Sequence, residues 1–317
     1  MNLKILTLSL SMAFAFSATA QEKVKKAKAP KAPPPVQVVE PQNGSEYQYQ
    51  APAGKFVVQP RLIYSSLTTK SNSTLNNAKI NQTGLKEEFK FEYGINPSFS
   101  VGLVVSNADT TRTMSSSPLP EMEETKFTGL EDPVLFFNAR KPMGVGELRY
   151  GANLTYSIEK HKITETIDEN NASGGMTLAP FVGYEVSTGN RTLGLRALYE
   201  AIKNDRKVDN KFGLASTGTE SGGEAFVGTL FYEHNFTSSL IGTSLEVVAA
   251  KKLKSNLQNR SLGALTIASA RIYGRLEVTP NFAILPSAAF GQGTAIDMSM
   301  FESMNLWDIK VAGRFTF

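Results

Sequence analysis

The feature that most constrains this chain is a spacing. From Lys55 onward, segments of about ten residues alternate apolar with polar positions, the period of a strand whose two faces meet different surroundings. Twelve such segments are read: about 55–66, 84–95, 99–106, 129–140, 147–159, 175–186, 191–202, 222–233, 239–250, 265–278, 282–291 and 304–317. The connections between them alternate strictly. Five are tight, such as Asn96-Pro97 and Thr279-Pro280-Asn281, and six are longer and polar, such as TTKSNSTLNNAKINQT. A soluble sandwich has no reason to gather its long loops at one end. A closed barrel crossing a bilayer does: short turns at one rim, long loops at the other, an even strand number, and strands of about 9–11 residues tilted by about 45°. The expectation is an all-β fold, a closed antiparallel transmembrane β-barrel of twelve strands over residues 54–317, with both termini on the short-turn side.

The N-terminus fits that destination. MNLKILTLSLSMAFAFSATA carries Lys4, an apolar run from Ile5 to Phe16 and a small-x-small close at Ala18-Thr19-Ala20, so residues 1–20 read as a cleaved secretory signal. No later stretch approaches the roughly 18 apolar residues of a membrane-spanning helix. Residues 21–53 read as a linker: EKVKKAKAPKAPPP is an extended polyproline-type spacer and the following NGSEYQYQAPAG is polar and turn-rich, together either a plain solvated linker or a basic arm that touches a partner or a polyanion. The chain has no cysteine, which excludes a lipid-modified N-terminus, disulfides and thiolate metal sites. The net charge is +4, but residues 54–317 hold 27 basic and 26 acidic residues, so the basic excess is no argument for nucleic-acid binding.

The strand faces separate cleanly. Phe89, Phe91, Tyr93 and Ile95 oppose Glu88, Lys90 and Glu92; Leu148, Tyr150, Leu154 and Tyr156 oppose Arg149, Asn153 and Thr155. Aromatic residues recur near strand ends (Tyr64, Phe99, Tyr184, Tyr199, Phe282, Phe290, Trp307), where amphipathic rings mark the two boundaries of an apolar band.

The signal sequence, the alternating strands and the closing LWDIKVAGRFTF together resemble a Gram-negative outer-membrane β-barrel protein of the porin-like kind. That resemblance implies an outer-membrane location, short periplasmic turns, long extracellular loops and a periplasmic linker at 21–53. It also implies that Val311, Phe315 and Phe317 form the C-terminal assembly signal read by the barrel-assembly machinery. GLEDPVLFFNARKP (129–142) is mildly similar to the Gly-Leu-x-Asp-Pro strand of porins for aromatic or hydrophobic compounds, and YGINPSFSVGL (93–103) resembles a generic barrel turn. Small-solute channels of twelve strands are similar in strand count.

With the faces assigned, inward charges fall into two groups. Arg61, Arg271, Arg275, Lys310 and Arg314 lie on strands that become neighbours on closure and form a basic ladder. Glu185, Glu200, Glu224 and Glu246, with Arg196 among them, form an acidic wall. Such a pair of walls sets a field across a narrow lumen and favours small polar or anionic solutes. The function read from this is a narrow channel for passive diffusion. The alternatives are a barrel whose interior is plugged, or one that acts through its loops in surface recognition. The surroundings expected are outer-membrane lipid and lipopolysaccharide. An enzyme is not expected: the only histidines, His161 and His234, fall at opposite rims, and no HExxH, GxSxG or phosphate-binding loop occurs. No cofactor or metal is expected, and TIDENNASGG (166–175) lacks calcium-loop spacing and reads as a solvated loop.

Overall fold

The computed structural model describes residues 45–70, 79–115, 123–159, 161–163, 168–202, 206–210, 217–251, 253–255, 260–262, 264–296 and 303–317. The expected signal and the Lys/Pro-rich stretch up to residue 44 lie outside them. Twelve long strands form one sheet: β1 (Phe56–Lys70), β2 (Lys79–Asn96), β3 (Phe99–Ser115), β4 (Val134–Met143), β5 (Gly146–Tyr156), β6 (Met176–Thr188), β7 (Arg191–Ile202), β8 (Ala225–Asn235), β9 (Ser239–Ala250), β10 (Ala264–Thr279), β11 (Phe282–Ile296) and β12 (Ser303–Thr316). Each pairs antiparallel with the next, and β12 returns to pair with β1 from Val57↔Thr316 to Lys70↔Ser303. Along its twelve long strands the sheet closes on itself as a barrel, so each of them has a hydrogen-bonded neighbour on both sides.

The burial alternation fixes which face is inside. On β12, Trp307, Ile309, Val311 and Phe315 are exposed, whereas Ala312 and Arg314 are buried. The exposed set around the barrel is apolar and aromatic, including Leu62, Tyr64, Phe89, Tyr93, Leu195, Leu230, Ile272 and Phe290. Large apolar side chains on the outer face and charges on the inner one invert the soluble pattern and suit a barrel whose outside meets hydrocarbon. Ring pairs reinforce the closing seam: Phe282 stacks on Phe315 with centroids 4.6 Å apart, and Tyr64 meets Trp307 at 5.4 Å. At its end, the backbone N–H of Phe317 donates to the Phe56 carbonyl (2.9 Å) and the Phe56 N–H donates to the Phe317 carbonyl (3.2 Å).

Two sequence expectations are corrected. The fourth strand does not start at residue 129. A separate strand, Glu123–Leu130, pairs with the upper part of β3, and β4 begins only at Val134. Gly129 adopts φ +108°, outside strand geometry, and Pro133 has no N–H to give the ladder, so the chain breaks between them. Asp132 ties the break down by accepting from Ser157 Oγ (2.7 Å) and the Ser173 N–H (2.8 Å). The loops are also more structured than solvated caps. The first hairpin and β3 rise past the expected limits 66, 84 and 106, and short strands at His161–Ile163, Arg206–Asn210, Thr217–Gly222, Leu253–Ser255 and Arg260–Leu262 form a second sheet at the long-loop rim. Within 166–175, Asp168–Asn170 pairs with Lys126–Thr128, and Asn171 donates to the carbonyls of Ala108 and Gly129.

Candidate functional site in the barrel lumen

The residues just before β1 do not leave the barrel. Ser45 to Ala53 run through its interior near the short-turn rim, so the expected linker 21–53 loses its last nine residues to the lumen. The anchors are polar and come from all round the wall. Ser45 Oγ donates to Glu185 on β6 (2.6 Å). The backbone N–H groups of Glu46 and Tyr47 donate to the Glu233 carboxylate on β8 (3.1 and 2.8 Å), which also accepts from Tyr273 on β10 (3.0 Å). Glu46 takes two hydrogen bonds from Arg314 on β12 (2.7 and 2.8 Å), and Arg275 on β10 lies 3.6 Å from it. With its amide turned to the orientation that satisfies both of its ends, Gln50 accepts from the N–H groups of Phe99 and Ser100 at the start of β3. The Ala51 N–H donates to Glu92 on β2 (3.1 Å). A nine-residue segment held by strands spread round the whole circumference lies across the lumen.

Stacking completes the fit. The Tyr47 ring lies on Phe231 (4.8 Å, 19° between planes), and the Arg314 guanidinium sits 4.0 Å over the Tyr49 ring. Phe231 lies flat inside because its neighbour on β7 is Gly194, where a Cβ would stand 2.2 Å from the ring; Gly242 gives Tyr273 the same room. The segment leaves the lumen over Gly94 of β2, whose added Cβ would lie 2.0 Å from the Pro52 carbonyl oxygen. The Gly54 N–H then donates to the Gly94 carbonyl (2.7 Å) and the Gly94 N–H to Lys55 (3.0 Å). Gly94→Leu therefore pushes the segment off its crossing. The expected result is a folded barrel with a lower unfolding midpoint, a loss of about 1–3 kcal/mol as for overpacking, and faster proteolysis near residue 50. Heat-modifiable gel mobility and limited proteolysis read both.

Arg61, Arg271, Arg275, Lys310 and Arg314 all point inward, as do Glu185, Glu200 and Glu246 by the alternation of their strands. The charges are not left to face each other across open water. Arg61 pairs with Glu88 and Arg271 with Asp308 (2.8 Å), both within the stretch of wall formed by β10–β12, β1 and β2. Arg275 and Arg314 meet Glu46. Glu185 is bound by Arg149 (2.7 Å), both only 3% exposed. Glu224 is a correction. It precedes β8 and pairs with the exposed Lys251 at the loop base (2.6 Å), because inward positions on β8 are odd-numbered and 224 is not. The inward acids of that region are Glu233 and, on the next strand, Glu246. Val311, Phe315 and Phe317 face outward at the seam.

Sequence reading missed Glu46, Glu92, Arg149 and Glu233 as site residues. A signal was present: Glu92, Glu185 and Glu233 all occupy inward positions a few residues before a short turn. The two histidines do lie at opposite rims, with His234 beside Asn190 (3.0 Å) at the short-turn end and His161 in the sheet of the long-loop end. Among the described residues no group of His, Asp and Glu is placed to hold a metal ion.

Beyond the inner segment, towards the long loops, the lumen holds two cavities of about 330 and 290 Å³. Both are walled by Tyr47, Tyr49, Arg61, Lys90 and Arg196. The interior is thus largely polar; the one apolar cluster among the described buried residues is Ala283, Leu285 and Ala312.

No protein-family model and no curated protein matches the sequence. Solved structures do match in fold. An outer membrane channel from Pseudomonas putida F1 superposes with a TM-score of 0.63 at 12% identity, over 87% of this chain and 100% of that one. The transport unit of the autotransporter AIDA-I from Escherichia coli superposes with a TM-score of 0.54 at 9% identity, over 86% of this chain and 92% of that one. The fold is that of outer-membrane β-barrels.

Proposed function

We propose that this protein is an outer-membrane channel for small polar or anionic solutes, closed near its periplasmic rim by its own residues 45–53. The observation that carries the reading is the combination of a polar, cavity-bearing lumen with an inner segment held by ion pairs and hydrogen bonds. A barrel that is purely structural is filled by side chains that pack against one another. Here charged walls surround the cavities on the loop side of the segment, and the segment's bonds to carboxylates and guanidinium groups are of a kind that water can replace. The neighbouring folds include an outer membrane channel and an autotransporter transport unit, which supports a transport barrel without choosing the cargo. In this reading the outward apolar band meets lipid, the long loops meet lipopolysaccharide, and residues 21–44 serve as a periplasmic linker that meets a partner or polyanion. Val311, Phe315 and Phe317 serve as the mark for the barrel-assembly machinery.

The second reading, a permanently plugged barrel acting through its loops, is favoured by the same inner segment and by the ordered sheet over the long-loop rim. Liposome swelling separates the two. Vesicles holding the folded mature chain are expected to admit small polar solutes above the rate of empty vesicles, with the rate falling steeply as solute size rises. Swelling equal to that of empty vesicles for every solute contradicts the channel and supports the plugged barrel.

A further inference from the structure

We propose that the chamber on the loop side of the inner segment is a binding site for a small oxyanion, a carboxylate or a phosphate, centred on Arg196 and Lys310. The proposal rests on reading this lumen as a solute path and names what the path holds.

The two cavities share five wall residues, so they meet around Tyr47 and Tyr49. Six cations line them: Arg61, Lys90, Arg149, Arg196, Arg271 and Lys310. Four have carboxylate partners, Arg61 with Glu88, Lys90 with Glu92, Arg149 with Glu185 and Arg271 with Asp308. Arg196 and Lys310 have none within ion-pair distance among the described residues. Arg196 is held by its flat face, 4.1 Å over the Phe181 ring, and its Nε is shielded with no hydrogen-bond partner; the Nε of Arg61 is in the same state. Glu246 and Tyr47 bear on Arg196 electrostatically, Glu246 from beyond ion-pair distance. Lys310 is inward and half-buried on β12, with the charges of Arg61 and Arg271 bearing on it and only Glu88 and Asp308 to offset them. Three cations against two carboxylates leave a surplus there, while Arg196 has only Glu246, beyond ion-pair distance, to offset it.

A buried cation without a counter-ion is costly, and the cost falls when an anion enters. A guanidinium offers a planar fork of donors and an ammonium a rotatable set, and either suits the oxygens of a carboxylate or phosphate better than a bare halide. The aromatic part of the wall, Tyr47, Tyr49, Phe136 and Phe181, leaves room for an apolar body on such an anion.

The test uses the full mature chain, folded in detergent, and ligand-observed NMR with millimolar acetate, benzoate and inorganic phosphate, at an ionic strength fixed with chloride. Binding of at least one of the three is expected, and which of them binds separates a carboxylate site from a phosphate site. In Lys310→Met the affinity is expected to fall by about tenfold or more, and likewise in Arg196→Gln, with Arg196→Lys recovering part of the loss. Lys310→Met removes the charge at nearly constant volume and serves if Arg196→Gln disturbs its stack on Phe181. No binding of any probe overturns the proposal, and so does binding that is unchanged in Lys310→Met and Arg196→Gln. Because the readout needs no current or flux, binding by a chain that fails to swell vesicles supports the site and sinks the channel; swelling without binding does the reverse.

Discussion

Removing residues 311–317 is expected to abolish the folded barrel. The truncation takes the last six of the fourteen residues of β12, and with them the pairs Leu62↔Val311, Val58↔Phe315 and Val57↔Thr316 on one side and Pro286↔Val311 and Phe282↔Phe315 on the other. Two strand edges then open inside the apolar band, where each unpaired backbone group costs several kcal/mol and no water stands in. The stack of Phe315 on Phe282 goes as well. The measurement is the heat-modifiable fraction in outer-membrane preparations, expected to fall to background; folded material at the level of the full chain contradicts the account. Phe317→Ala separates the seam from the assembly mark. It keeps the two backbone hydrogen bonds to Phe56 and removes only a ring that is 67% exposed. Folding from denaturant into detergent is expected to survive, while cellular assembly slows. Equal assembly of both proteins in cells removes Phe317 from the assembly mark and leaves it the seam alone.

Deleting residues 45–50 is expected to raise conductance severalfold while leaving the barrel folded. The deletion removes the partners of Glu185, Glu233 and Arg314, but these side chains would face incoming water rather than a sealed interior. Glu185 also keeps Arg149, and Glu233 keeps Tyr273. Breaking a buried ion pair from within costs about 3–5 kcal/mol because it strands a charge; opening the lumen instead rehydrates the charges. Substituting Arg149 is therefore expected to harm the barrel more than deleting the inner segment. The backbone ladders that close the barrel do not pass through residues 45–50.

The period-2 alternation made the barrel legible, because it is a property of each strand alone. Parity placed every residue of the basic ladder inside, and the alternation of short and long connections gave the strand number and its closure. Strand ends were less legible where the sequence turns polar. The pairs from Leu67↔Gln82 to Lys70↔Lys79 continue the first hairpin mostly in Thr, Asn, Gln and Lys, with only Leu67 and Ile80 apolar, too few to carry a rhythm. The inner segment left still less trace. Ser45-Glu46-Tyr47-Gln48-Tyr49-Gln50 reads as a polar linker, and its meaning depends on carboxylates far along the chain at 185 and 233. The same dependence misled the picture of two facing charged walls: parity gives the direction of a side chain, but not the counter-charge that reaches it from another segment.

The most direct measurement of the central claim is single-channel current through planar bilayers for the full mature chain and for the deletion of residues 45–50, each first shown to be folded by heat-modifiable mobility. The account predicts small or rare steps from the full chain and larger, longer openings from the deletion. Equal currents from the two proteins, or none from either, would contradict a channel closed by its own N-terminal segment.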